Sequence, residues 1–199
     1  LQRRQHLYEH EKDPVKVKIN TKIVDRPRNV EIVKQILEHF SKNHRSALVN
    51  MATGTGKTRV AMAVIDALIK SDHVQNVLFV VDRISLANQA KEKGFKSFFN
   101  EPVCELNFEG FSDSARLYVS TVQTMTNSDN KKKRPMYEKF GVGFFDLIVF
   151  DEAHRSFYDA NNILFSYFDC IKLGLTATPS KEDSRDTFKL FDCEDKKPT

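Results

Sequence analysis

The chain has 199 residues, 40% hydrophobic and 29% charged, with a formal net charge of +4. This is too apolar for a disordered chain, and 7 Gly with 6 Pro are too few breakers for a linker or low-complexity protein. No apolar run approaches the ~18 residues of a membrane span, and the length suffices for one domain with a buried core.

Residues 1–12 are polar with helical character, and Pro14 ends that pattern. Val15, Val17 and Ile19 alternate with Lys16 and Lys18, which predicts a short exposed strand or an extended connector. Val30, Val33, Ile36, Leu37 and Phe40 recur at helical spacing, which predicts an amphipathic helix over 28–42. From there strands and helices alternate. Strands are predicted at 46–51, 77–81, 117–120, 147–150 and 171–175, and helices at 57–70, 85–98 and 161–168. Residues 99–116 carry no readable pattern. Continuous apolar strands between helices predict a parallel sheet covered on both faces, hence an α/β fold.

Charge is uneven along the chain. Residues 1–24 hold +3, residues 25–180 hold +2 and residues 181–199 hold −1. A core at +2 is no electrostatic argument for nucleic acid. The dense run Lys131-Lys132-Lys133-Arg134 reads as a solvated loop, with a phosphate-contacting loop as the alternative. Cys104, Cys170 and Cys193 are far apart, with no CxxC pair and no Cys/His cluster. They read as free thiols of a reducing cytosol, so a cytoplasmic protein without a disulfide framework or zinc site is expected.

Between the strand at 46–51 and the helix at 57–70 lies Met51-Ala52-Thr53-Gly54-Thr55-Gly56-Lys57-Thr58. A strand, a glycine-containing loop and a helix N-terminus form a phosphate cradle. Backbone N–H groups from Thr53 to Gly56 converge on the anion, and the helix dipole favours its charge. Lys57 supplies a point charge for the β- and γ-phosphates, and the Thr58 hydroxyl can ligate Mg²⁺.

The strand at 147–150 runs into Asp151-Glu152-Ala153-His154. A carboxylate at the end of a buried parallel strand faces the ligand crevice. Asp151 is expected to hold Mg²⁺ and Glu152 to polarise the attacking water, since phosphoryl transfer needs a positioned nucleophile. His154 either couples this site to the next motif or fills a gap between loops. After the last strand come Thr176-Ala177-Thr178-Pro179, whose Thr176 and Thr178 hydroxyls can bond the 151–154 loop.

In this order the segments ATGTGKT (52–58), DEAH (151–154) and TATP (176–179) resemble the first motor lobe of superfamily 2 helicases and translocases. The resemblance implies a three-layer RecA-like P-loop domain with a mainly parallel sheet over 25–180. It also implies ATP and Mg²⁺ as cofactors. Asp82 and Arg83, and then Thr121 and Gln123, fall where that superfamily contacts the nucleic-acid strand. A narrower set looks like the motor (R) subunit of type I restriction enzymes: Asn50 to Thr58, Val81-Asp82-Arg83 with Leu86, Asp151 to Ser156, and Gly174 to Pro179. The tail Arg185-Asp186-Thr187-Phe188-Lys189-Leu190-Phe191 resembles the segment beyond the third motif in that subunit. That family implies ATP-driven translocation of double-stranded DNA, a nuclease domain, and modification and specificity subunits as partners, with no membrane. It usually carries an aromatic residue and a Gln after Arg-Pro, for adenine. Here Arg26-Pro27 is followed by Arg28, which can stack, and Asn29, a shorter amide with the same donor and acceptor.

Leu1 in place of Met makes an excerpt of a longer chain the expectation. On this reading 1–24 connects from an upstream, nuclease-bearing part. Residues 181–199 link toward a second RecA-like lobe, which supplies an arginine finger. The isolated piece is then expected to be almost inactive. Two other readings stay open: another superfamily 2 motor of type III restriction or DNA repair, and a non-hydrolysing, nucleotide-gated DNA-binding module.

Overall fold

A computed structural model of the chain describes residues 11–127, 134–151, 158–177 and 191. Six strands form one sheet: β1 (Ser46–Asn50), β2 (Val77–Val81), β3 (Val103–Glu105), β4 (Leu117–Thr121), β5 (Leu147–Asp151) and β6 (Ile171–Thr176). Their order is β1-β6-β5-β2-β4-β3, and every neighbouring pair is parallel. The expected α/β class and parallel sheet are what the structure has.

Successive residues of a strand face opposite sides, so an unbroken apolar run feeds two cores at once. On one face Val77, Phe79, Val81, Val149 and Leu175 pack under the first helices. On the other, Leu78, Val80, Ile148 and Phe150 meet Phe145, Leu164 and Phe168. Helix α1 (Pro27–Ser41) starts on a proline, where a missing N–H does no harm, and buries Val33, Ile36, Leu37 and Phe40. Helix α2 (Lys57–Lys70) lies between α1 and the sheet and is buried nearly all round.

The single helix predicted at 85–98 is three pieces. Helix α3 (Ile84–Gln89) passes into a π turn (Ala90–Phe95) and then into α4 (Lys96–Phe98). The widened turn lays Gly94 on Met62 of α2, where a Cβ would come within 2.8 Å of the methionine methyl. It also sets Phe95 edge-on to Phe79, with ring centroids 5.6 Å apart. Two further helices come later in the chain, α5 (Val122–Thr126) and α6 (Tyr158–Tyr167).

Over 15–19 the extended connector is found rather than a strand. One 3₁₀ turn (Pro14–Lys16) opens it, held by the Asp13 carboxylate accepting from the Val15 N–H at 3.1 Å. Phe191, in the tail read as a linker, is buried against Gly174 of β6, and its carbonyl accepts from the Ser46 hydroxyl at 2.9 Å. Tyr118 of β4 sits among Phe111, Phe140, Phe144 and Phe145. Its hydroxyl faces the Ser112 and Ala115 carbonyls at 2.8 and 3.0 Å. Burial pushes its pKa up to about 12. Cys104 and Cys170 are buried. Among the described residues no helix is long and apolar enough to cross a membrane.

Candidate functional site

All six strands run the same way, so their carboxyl ends share one edge of the sheet. The candidate residues line that edge. The phosphate loop leaves β1, Thr176 ends β6 and Asp151 ends β5, so three motifs sit on three adjacent strands. Next along come Asp82 and Arg83 after β2, and Thr121 at the end of β4.

The loop is fixed at both ends. Met51 N–H donates to the Thr176 carbonyl at 2.9 Å, which continues the β1–β6 register past Asn50. At the other end Gly56, with φ of 101°, caps α2 in a left-handed conformation that a side chain would strain. Gly54 has φ of 77°, and a Cβ there would meet nothing within 4 Å. A Cβ on Gly56 would lie 2.9 Å from Asn29 Nδ2. Between them the Thr55 hydroxyl donates to the Ala52 carbonyl at 2.6 Å, while Thr53 is exposed. Lys57, the first residue of α2, is buried. The Thr58 hydroxyl donates to Asp151 Oδ2 at 3.2 Å across 93 residues of sequence. A hydroxyl and a carboxylate meeting beside an anion cradle are the hard oxygen donors that Mg²⁺ takes.

The structure sets Arg28 and Asn29, the expected adenine-side residues, on different sides of α1. Adjacent residues on a helix point about 100° apart. Arg28 is exposed and lines a cavity of about 520 Å³ with Glu31, Gln35, Val49 and Asn50. Asn29 is buried, and its amide nitrogen donates to the Thr55 carbonyl at 3.0 Å. It therefore braces the phosphate loop, a part its side chain alone does not announce.

Arg83 is exposed, with Nε 3.4 Å from Asp82 Oδ2. Asp82 Oδ1 is buried with no hydrogen-bond partner among the described residues. Thr121 is expected at the nucleic-acid strand, yet it is 3% exposed. Its hydroxyl accepts from Thr124 N–H at 3.1 Å and caps α5. Gln123 is half-buried and lines a polar groove of about 400 Å³ with Asn107, Thr124, Asn127, Arg134 and Lys139. Glu152, His154 and Thr178 lie outside the described residues, as do Lys131, Lys132 and Lys133.

Fold and site together define a class: a RecA-like P-loop domain of the superfamily 2 helicase kind. Within it, the chain belongs to the family described as type III restriction enzyme, res subunit, which matches residues 22–181. Among curated proteins it is 32% identical over 178 residues to the type I restriction enzyme EcoKI endonuclease subunit of Escherichia coli strain K12. That alignment covers 75% of this chain and 15% of the relative. It is 30% identical over 156 residues to the EcoAI endonuclease subunit of Escherichia coli, covering 76% and 19%. Among solved structures it is similar to an HsdR-subunit fragment of a type I restriction enzyme from Vibrio vulnificus YJ016. There the TM-score is 0.64 and the identity 25%, over 90% of this chain and 30% of that one. The SWI2/SNF2 ATPase core of Sulfolobus solfataricus, solved with double-stranded DNA, shares the fold at TM-score 0.62 and 15% identity, over 91% and 36%. The chain thus spans under a fifth of the length of these curated relatives.

Proposed function

We infer that this chain is the first ATP-binding lobe of the motor subunit of a type I restriction enzyme. Its task in that subunit is to couple ATP hydrolysis to translocation along double-stranded DNA. The observation that carries this is the meeting of Thr58 with Asp151 at 3.2 Å beside the cradle formed by Gly54 and Gly56. The 32% identity to a type I endonuclease subunit supports the choice of system.

On this reading each group has its own part in the chemistry. N–H groups of the 53–56 loop and the N-terminus of α2 face the phosphates, and Lys57 adds its charge there. Thr58 and Asp151 are the residues that would hold Mg²⁺, which when bound neutralises phosphate charge. Glu152, next in sequence, orients and polarises the attacking water. His154, Thr176 and Thr178 relay the state of the nucleotide to the rest of the motor. Asn29 keeps the loop in shape and Arg28 offers a stacking surface to the base. Arg83 and Gln123 reach the DNA strand, while Asp82 and Thr121 set the backbone that presents them. The remaining parts belong to the longer protein. A nuclease domain lies upstream of 1–24, and a second RecA-like lobe beyond 181–199 supplies the arginine finger. Modification and specificity subunits complete the complex.

The test is ATP turnover by the full-length protein with and without duplex DNA. DNA should stimulate turnover. Lys57→Ala should lose nucleotide binding as well as turnover. Glu152→Gln should still bind ATP while turnover falls at least ~10²-fold, the scale of one positioned general base. Residues 1–199 alone, without the finger, should turn over ~10³-fold or more below the full protein. Wild-type protein indifferent to duplex DNA, or a Glu152→Gln protein with normal turnover, refutes the reading.

A further inference from the structure

Residues 99–116 carry no sequence motif, yet they hold a polar side chain that links several segments near the far end of the sheet. Asn107 lies just beyond β3, and its Oδ1 accepts from Thr121 N–H at 3.1 Å, with the Thr121 and Ser120 hydroxyl oxygens 3.4 and 3.5 Å away. Its Nδ2 donates to Glu105 Oε1 at 3.3 Å. Glu105 is itself buried. Asn88 of α3, with its amide nitrogen turned toward that carboxylate, donates to both oxygens at 3.1 and 2.9 Å. Glu109 closes the set, accepting from Glu105 N–H at 2.9 Å and pairing with Lys91 of the π turn.

This chain of bonds joins two segments that are far apart in sequence. One is α3, which begins beside Arg83. The other is the Thr121–Thr124 corner, which carries Gln123. In the corner, the Thr121 hydroxyl also donates to Thr124 Oγ1 at 2.9 Å. The one hydroxyl proton of Thr121 goes to Thr124, so Asn107 holds the corner through the Thr121 N–H, while the Thr121 oxygen accepts from Thr124 N–H.

We propose that Asn107 is a positioning residue for the DNA strand: through Glu105 and Thr121 it locks the Thr121–Thr124 corner to α3, so that Gln123 and Arg83 meet one strand at a fixed separation. The proposal rests on the reading of this lobe as part of a DNA motor. Asn107 follows β3, at the opposite edge of the sheet from β1 and the phosphate loop.

Removing the acceptor leaves a buried N–H without a partner, and the corner then samples other arrangements. Restricting the binding-competent arrangement to a fraction of molecules raises the apparent dissociation constant by the reciprocal of that fraction. Asn107→Ala in the full-length protein should therefore raise the half-saturating concentration of duplex DNA about tenfold, while DNA-free turnover stays at the wild-type level. Hydrogen exchange should speed up over 119–126 and stay unchanged over 46–70. Asn107→Asp combined with Glu105→Gln keeps the acceptor toward Thr121 and reverses the bond between the two side chains without adding charge, so this double variant should recover most of the DNA affinity. Unchanged half-saturation in Asn107→Ala overturns the proposal. So does faster exchange throughout the lobe, which would make Asn107 a general fold determinant. A double variant as weak as Asn107→Ala also overturns it. If wild-type turnover ignores DNA, the reading of the motor falls instead, and the exchange pattern alone decides whether Asn107 sets the corner.

Discussion

Adding one methyl group at Gly56 tests how the phosphate loop is held. The glycine sits at φ of 101°, so an alanine there carries left-handed strain of about 1–2 kcal/mol. The new Cβ would also lie 2.9 Å from Asn29 Nδ2 and push that amide off the Thr55 carbonyl. Loss of that hydrogen bond adds about 1 kcal/mol. Gly56→Ala should then cost about 2–3 kcal/mol, or roughly 5–10 °C in melting temperature for a chain of this size. Gly54→Ala carries the strain alone, because nothing lies within 4 Å of its Cβ, and should cost about 1–2 kcal/mol. The decisive comparison is a double-mutant cycle read by thermal unfolding. In an Asn29→Ala background there is no amide to displace, so the added cost of Gly56→Ala should fall by about 1 kcal/mol. The same Gly56→Ala cost in both backgrounds would show that Asn29 does not brace the loop, and the reasoning would fail.

Two other outcomes are expected. Gly174→Ala would set a Cβ 2.5 Å from the Phe191 ring, so it should destabilise by about 1–3 kcal/mol. Phe191→Ala should relieve that clash, making the double variant more stable than the two single costs added together; simple additivity in thermal unfolding refutes the packing argument. Tyr118 has its pKa raised to about 12, so the unfolded chain ionises first. Its stabilising effect is complete below the ordinary tyrosine pKa of ~10 and is lost as the pH rises from there through the folded value. Melting temperatures between pH 9 and 12 should fall less steeply in Tyr118→Phe than in wild type; parallel curves refute the assignment.

Elements whose two ends carry their own chemistry are readable from sequence. Lys57–Lys70 begins after a glycine that must take positive φ, and Val77–Val81 is a pure apolar run, so both match their predicted bounds. The motif residues are legible for the same reason: a parallel sheet brings all strand ends to one edge. The elements that escape depend on tertiary partners. Val103–Glu105 is a three-residue edge strand that exists through its pairing with β4. Val122–Thr126 is five residues long, and its cap leans on Asn107 from another loop. Asn29 reads as a base-reading amide because it follows Arg26-Pro27, and its bond to the Thr55 carbonyl is set by a loop 26 residues away. Phe191 looks like tail, because the cavity it fills over Gly174 is made by residues elsewhere in the chain.

The π turn at Ala90–Phe95 has a consequence for insertions and deletions in this lobe. A π turn holds about one residue more than a regular turn, so it acts as a phase setting between the two ends of the helix. Deleting one residue there would let regular winding resume and rotate the upstream part by about 100° against the downstream part. Asn88 would swing away from Glu105, while Phe95 would stay anchored on Phe79. Asn88 apart, exposed side chains between Arg83 and Phe95 can therefore vary, whereas the number of residues between those two points is fixed.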